Sequence, residues 1–376
     1  MSSSLYIHIP FCAAKCSYCS FNSYTGLERL RERYLSAVAI ECSNVASRRQ
    51  ETPLKTVFLG GGTPSLLSVG QLQRLFATIT SCFEIVAGAE VSIEANPGTI
   101  SSEKLKTLRQ CGINRLSIGV QSFNNKELQT IGRIHSAKEA RLAIENAQAA
   151  GFHNVNIDLM YGLPEQTAKS WQQNLETALS LSVQHLSLYQ LTIDAKTPLQ
   201  TMLEREEVQL PHEDVIADMD AVTLSLLGRS EYEQYEISNY ARDGYQCLHN
   251  INYWQNGDYY GIGAGAVSFS HGKRVKNIAN PERYCEMLEA GQAVQVEMEC
   301  LKREESFRET VIMGLRMNQG VSSKVLQDRY GLDFETVYGE IVKNLCAQNL
   351  LKQNKSNFHL TAKGRSFANL VMAELV

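Results

Sequence analysis

Six short β-rich runs, at residues 5–9, 56–59, 91–95, 115–118, 155–159 and 185–191, alternate with helical patterns over the first half of the chain. Between the first runs, Leu30, Tyr34, Ala37, Val38 and Val45 recur at helical spacing, as do Leu72, Leu75, Phe76, Ile79 and Phe83 further on. Ser136 followed by Glu139 reads as a capping box, and Gly151 ends the helix it opens. This rhythm implies parallel strands joined by crossover helices. Six units make an incomplete barrel, open on one side, where a closed one takes eight. The expected fold class is therefore α/β, a partial (β/α)6 barrel over residues 1–235.

In such a fold the ligand end is the C-terminal end of the strands. The loop after the first strand reads Cys12-Ala13-Ala14-Lys15-Cys16-Ser17-Tyr18-Cys19. Three thiols at Cys-x3-Cys-x2-Cys spacing can hold three corners of a cubane iron–sulfur cluster and leave the fourth iron without a protein ligand. A zinc knuckle or three unliganded thiols are the alternatives. Zinc wants a fourth Cys or His nearby, and His8, within reach, sits in an apolar strand. Gly60-Gly61-Gly62-Thr63-Pro64 follows strand two, Glu94 closes strand three, Gln121 follows strand four, and Asp158 lies near the end of strand five. Singly, each has a plain structural role as a tight turn, a helix cap or an ion-pair partner. Five consecutive strands aiming such groups at one rim point to a site.

Composition narrows the context. The 376 residues suffice for two or three domains with a substantial core. Ten cysteines, with no basic or long apolar leader before the first strand, fit reduced thiols in a cytoplasm. The seven outside the loop are scattered and read mostly as small buried hydrophobes. No run approaches about 18 apolar residues, so no transmembrane segment is expected; peripheral membrane contact stays open. The net charge of −4 gives no global reason to bind nucleic acid.

The cysteine spacing resembles that of the radical S-adenosylmethionine (radical-SAM) superfamily. Tyr-Ile-His-Ile-Pro-Phe-Cys, Gly-Gly-Gly-Thr-Pro-Ser, Ile-Glu-Ala-Asn-Pro-Gly, Gly-Val-Gln-Ser-Phe, Ile-Gly-Arg-Ile-His and Asn-Ile-Asp-Leu-Met-Tyr-Gly-Leu-Pro resemble the oxygen-independent coproporphyrinogen III dehydrogenases and their relatives, over nearly the whole chain. The resemblance implies a 4Fe-4S cluster on Cys12, Cys16 and Cys19, completed by the amino and carboxylate groups of SAM. It also implies SAM contacts at Tyr6, Tyr18, Gly61, Gly62, Thr63, Glu94, Gln121, Arg133 and Asp158. These residue types suit that ligand: bare glycine backbone can approach an ammonium, an Arg fork can meet a carboxylate, and Glu or Asp can accept from an ammonium or ribose hydroxyl.

Within that group the sequence forks. The dehydrogenases carry a further Cys two residues after the third ligand, where this chain has Phe21. The stretch Cys19-Ser20-Phe21-Asn22-Ser23 instead resembles the HemW-type heme chaperones, which commonly have Asp in place of Ser20. The few residues before strand one also leave no room for the dehydrogenases' N-terminal extension. His249-Asn250-Ile251-Asn252-Tyr253-Trp254 matches the His-Asn-x-x-Tyr-Trp motif associated with heme in the chaperones. His is a common axial ligand, and Tyr253 and Trp254 can lie along a porphyrin face. The plain alternative is a turn with an aromatic anchor and a capping His. The resemblance implies a cytoplasmic heme chaperone that passes heme to an unidentified apoprotein; the alternative is a radical-SAM dehydrogenase that cleaves SAM to oxidise a porphyrinogen. Catalytic residues are not assigned.

Gly261-Ile262-Gly263-Ala264-Gly265-Ala266 fits a loose dinucleotide pattern but lacks a clear following helix, and the resemblance places it beside the SAM adenine. Val267 stands where chaperone relatives often have His, with His271 a substitute four residues on. Cys247-Leu248-His249 is not the two-cysteine pattern of covalent heme attachment. Residues 236–302 form the heme-motif and connecting region. Residues 303–376 read as helices followed by a small hairpin, a winged-helix-like domain whose interleaved acidic residues leave no basic stripe for DNA.

Overall fold

Leu5, Ile7 and Ile9 of β1 (Ser3–Ile9) are fully buried, and Tyr6 and His8 alternate with them on the other face. That period-two pattern recurs through the central sheet and fixes which side packs on helices. The computed structural model describes residues 3–48 and 52–376. From β1 the chain runs through α1 (Arg31–Arg48), β2 (Leu54–Gly61), α2 (Val69–Cys82), β3 (Ile85–Ala95), α3 (Ser102–Gln110), β4 (Arg115–Gln121), α4 (Asn125–Thr130), α5 (Ala137–Ala149), β5 (Val155–Tyr161), α6 (Ala168–Ser180) and β6 (His185–Gln190). All six strands are parallel neighbours in sequence order. The outward rows, such as Leu116, Ile118, Val155, Ile157 and Leu159, are fully buried beneath the helices. Each such side chain contributes about 1.5–3 kcal/mol relative to exposure. The capping box at Ser136 and Glu139 forms, and Gly151 takes φ +84° just past α5. Ser68 and Gln71 form another at the start of α2.

The barrel is open, as expected, yet both of its edges are extended. After α7 (Pro198–Glu204) and α8 (Glu213–Leu227), β7 (Glu233–Gln234) and β8 (Asn239–Ala241) add antiparallel strands beyond β6. Following α9 (Leu248–Trp254), β9 (Tyr259–Ile262) pairs parallel to β1. Then β10 (Val267–Ser270), β11 (Lys273–Asn277) and, after α10 (Pro281–Glu289), β12 (Gln295–Cys300) continue antiparallel. The result is one twelve-stranded sheet, in which the strands of the connecting region continue the barrel wall. No helix follows the glycine-rich turn at 261–266; β10 does, so the turn is not the strand–helix junction of a dinucleotide site.

The C-terminal module holds α11 (Arg303–Leu315), β13 (Val321–Ser322), α12 (Ser323–Tyr330), α13 (Phe334–Ala347) and a hairpin of β14 (Leu351–Asn354) and β15 (Asn357–Leu360). Phe307, Phe334 and Phe358 anchor its own core, so the winged-helix-like arrangement expected from the sequence is present. Arg316 stacks on Trp254 with 4.6 Å to the ring centroid, which ties the module to α9. Among the described residues no helix is long and apolar enough to cross a membrane.

Candidate functional site

The C-terminal ends of β1 to β5 converge on one cleft lined by Cys12, Cys16, Tyr18, Cys19, Gly61, Gly62, Thr63, Glu94, Gln121, Arg133 and Asp158. The loop carrying the thiols is pinned where it leaves the strand. Cys12 N–H donates to Tyr24 O at 2.9 Å, and Ser17 N–H reaches Ile131 O at 3.1 Å. Behind the loop, Gly62 N–H donates to Ile9 O at 2.9 Å and Thr63 N–H to Phe11 O at 2.8 Å. The glycines are sterically required. A Cβ on Gly62 would stand 2.6 Å from Phe11 O, and Gly61, at φ +115°, would press one within 2.5 Å of the His8 ring.

Donors already face two of the thiols. Thr63 Oγ1 lies 3.7 Å from Cys12 Sγ, and Arg133 Nη1 lies 3.4 Å from Cys16 Sγ. Both place a donor beside a sulfur that could ligate metal. Among the described residues no three His, Cys, Asp or Glu groups gather tightly enough for a single metal ion. His8 is no fourth zinc ligand here: its Nε2 donates to Asn22 O at 2.8 Å and its Nδ1 accepts from Tyr6 OH at 3.0 Å. Three thiols on one loop, facing an open cleft with donors behind them, fit a cluster with one uncovered corner.

The carboxylates set the electrostatics. Glu94 accepts from Gly61 N–H at 2.9 Å. Burial, then the neighbouring Asp158 charge, lifts its carboxyl from 4.5 to about 7, against Gly61 N–H and the Arg115 charge. Burial likewise raises Asp158, which accepts from Asn156 Nδ2 at 2.8 Å. The cleft therefore holds two buried acids, Glu94 and Asp158, whose ionised forms burial disfavours, a setting suited to a cationic ligand. Arg133 bonds Asn96 Oδ1 and the Gly119 carbonyl, so its fork is already positioned at the rim. Gln121 sits at φ 69°, a left-handed conformation costly for a side chain of this size, where the β4–β5 register shifts. Tyr6 does not line the cleft; its hydroxyl serves His8 within the sheet.

Beneath the cleft lies a polar barrel interior that sequence reading passed over. His185 Nδ1 donates to Asn156 Oδ1 at 2.6 Å, and its Nε2 accepts from Tyr235 OH at 2.8 Å. Asn156 Nδ2 also reaches Ser117 Oγ at 2.8 Å, linking this network to Asp158. The signal was available in the alternation Arg115-Leu116-Ser117-Ile118 and Asn156-Ile157-Asp158-Leu159, polar inward and apolar outward.

The heme-motif residues lie elsewhere. His249 is 1 % exposed, its ring stacked on Phe58 with centroids 5.1 Å apart. Its Nδ1 donates to Thr56 Oγ1 at 2.7 Å and its Nε2 accepts from Tyr253 OH at 2.9 Å. Burial, with the Arg115 charge, lowers its pKa to about 3, so the ring is neutral. Glu90 accepts from the backbone N–H groups of Leu248 and His249 at 2.9 and 3.1 Å, fixing the start of α9. Tyr253 packs edge-on to Tyr259 and Trp254 carries Arg316. In this conformation the motif is an internal anchor with both imidazole nitrogens engaged.

Comparison with known proteins places the chain in context. Residues 6–178 match the Radical SAM superfamily and residues 301–367 the HemN C-terminal domain. The chain is 36 % identical to heme chaperone HemW of Bacillus subtilis, over 98 % of this chain and 97 % of that protein. It is 42 % identical to heme chaperone HemW of Escherichia coli, over 72 % of this chain and 70 % of that protein. Among solved structures, coproporphyrinogen III oxidase (HemN) from Escherichia coli, described as a radical SAM enzyme, superposes with a TM-score of 0.87 at 26 % identity. That match covers 100 % of this chain and 90 % of the enzyme.

Proposed function

We propose that this chain, which belongs to the HemW family, is a heme chaperone that holds heme and delivers it to an apoprotein. The observation that carries the reading is the near full-length similarity to proteins named heme chaperone HemW. The cleft supports the rest of the equipment. Cys12, Cys16 and Cys19 would hold a 4Fe-4S cluster. Tyr18, Gly61, Gly62, Thr63, Glu94, Gln121, Arg133 and Asp158 would receive SAM, with Tyr6 behind them holding His8 through its hydroxyl. When bound, the cluster and SAM supply one-electron chemistry or a ligand-controlled change of state. The chain's own residues bind and orient: the glycine turn offers backbone to an amino group, Arg133 turns its fork to a carboxylate, and Glu94 and Asp158 accept from ammonium or hydroxyl groups.

We place the protein in the cytoplasm, since none of its ten cysteines is paired in a disulfide. The acceptor is an apoprotein recognised by surfaces not yet assigned. Coproporphyrinogen dehydrogenation is the second reading, favoured by the close superposition on HemN. Phe21, 67 % exposed where the dehydrogenases carry a Cys, favours the first. For His249, Tyr253 and Trp254 to meet heme directly, α9 must release His249 from Thr56 and Tyr253, and Trp254 from Arg316. Titrating heme into the purified protein tests the chaperone reading: a Soret shift saturating near one equivalent is expected, and no saturable shift would refute it.

A further inference from the structure

Beneath the cleft, three adjacent strands carry their inward side chains in two layers. The lower layer runs Ser117, Asn156 and His185 across β4, β5 and β6, and the upper runs Gly119, Asp158 and Ser187. Gly119 leaves the space beside Asp158 to the Gln121 amide and the Arg133 guanidinium, which stand 3.1 and 3.4 Å from where its Cβ would be. The whole lower layer is buried, His185 completely. Polar groups in such a place are stable only when each donor meets an acceptor, and that requirement fixes their orientation.

The pattern resolves outward from the acid. As a carboxylate, Asp158 accepts at Oδ1, so the Asn156 amide turns its Nδ2 there at 2.8 Å, and the same nitrogen donates to Ser117 Oγ at 2.8 Å. Asn156 Oδ1 is left facing β6, where Ser187 Oγ donates to it at 3.1 Å and His185 Nδ1 at 2.6 Å. His185 therefore carries its proton on Nδ1, and its Nε2 accepts from Tyr235 OH at 2.8 Å. Tyr235 OH in turn accepts from the Cys247 backbone N–H at 3.3 Å. Burial, then the Arg115 charge, lowers the His185 pKa well below 6.5, so the ring is neutral and a single tautomer serves both partners. Both donors and both acceptor sites of the Asn156 amide are filled, and turning it over would set its oxygen against the Asp158 carboxylate.

From this geometry we infer that His185, with Tyr235 behind it, is a positioning residue for SAM: it fixes the Asn156 amide, which holds the Asp158 carboxylate in the rotation that meets the cofactor. The inference rests on the reading that SAM binds in the cleft at Asp158. Neither His185 nor Tyr235 lines the cleft, so both act only through Asn156.

The test is a double-mutant cycle on SAM affinity, measured by equilibrium dialysis of radiolabelled SAM against the full-length, cluster-reconstituted protein. His185→Leu occupies the space without the donor and is expected to weaken SAM about tenfold. His185→Asn, whose amide replaces the Nδ1 donor, should stay within about twofold of the parent. Tyr235→Phe releases the tautomer and should weaken SAM severalfold. In an Asp158→Ala background, where the carboxylate that the relay holds is gone, neither His185→Leu nor Tyr235→Phe should weaken SAM further. Damage to the barrel at large would act equally in both backgrounds and would not be rescued by Asn. Should His185→Leu fail to fold, the cycle of Tyr235→Phe with Asp158→Ala decides alone. Equal losses with and without Asp158, or an equal loss in His185→Leu and His185→Asn, overturn the positioning role while leaving SAM binding intact. Failure of the unaltered protein to bind SAM overturns the cofactor reading, and the positioning role with it.

Discussion

Replacing Glu94 by Gln should stabilise the empty protein and impair it at once. The Glu94 carboxyl titrates at about 7 in the folded chain against an ordinary 4.5. Between those values the folded chain keeps a proton that the unfolded chain has lost, so folding stability falls as pH rises through the window. The gap, at about 1.4 kcal/mol per tenfold, sets a cost of about 3 kcal/mol at pH 8. That is an upper figure, because Glu94 keeps part of its surface open to the cleft. Glu94→Gln retains an oxygen for the Gly61 N–H bond and removes the charge. Urea unfolding of the cluster-free chain at pH 5 and pH 8 reads the effect. The variant should be more stable than the parent at pH 8 by up to about 3 kcal/mol, with most of that margin gone at pH 5. SAM affinity should fall roughly ten- to a hundredfold, the worth of a hydrogen bond to a charged group at about 1.5–3 kcal/mol. An equal stability difference at both pH values would refute the electrostatic reasoning.

Single replacement of Cys12, Cys16 or Cys19 by Ala should abolish the visible absorption of about four irons per chain after anaerobic reconstitution, and full retention of iron in all three would dismiss the cluster. His249→Ala should destabilise the chain by about 2–4 kcal/mol in urea, because it opens a cavity against Phe58, removes the partner of the Tyr253 hydroxyl and leaves Thr56 Oγ1 with only its bond to Ser4. A change below about 0.5 kcal/mol, the range of surface substitutions, would show that the ring is not the anchor described here.

Much of the barrel was legible because its strands are short apolar runs set between capped amphipathic helices, a pattern local in sequence. The cleft was legible for the same reason: glycines and acids placed at strand ends can only face one rim. The extension was harder. β12, Gln295–Cys300, is exposed along its whole length, so no buried face leaves a period in its sequence. β9 is four residues long and pairs with β1, more than 250 positions earlier, a partner no local pattern names. His249 shows the limit most sharply. Its motif reads as a heme ligand, but what seals the imidazole is Thr56, 193 residues away, and an aromatic stack on Phe58. Motif chemistry tells which groups are present; only tertiary packing tells whether a nitrogen is free.

The most direct test of the chaperone account is anaerobic incubation of the cluster-reconstituted protein with coproporphyrinogen III, SAM and a reductant, analysed for protoporphyrinogen IX by chromatography. The account predicts no conversion above the protein-free control, in a preparation that saturates with one equivalent of heme. Catalytic formation of protoporphyrinogen IX by that same preparation would contradict it and make the chain a dehydrogenase.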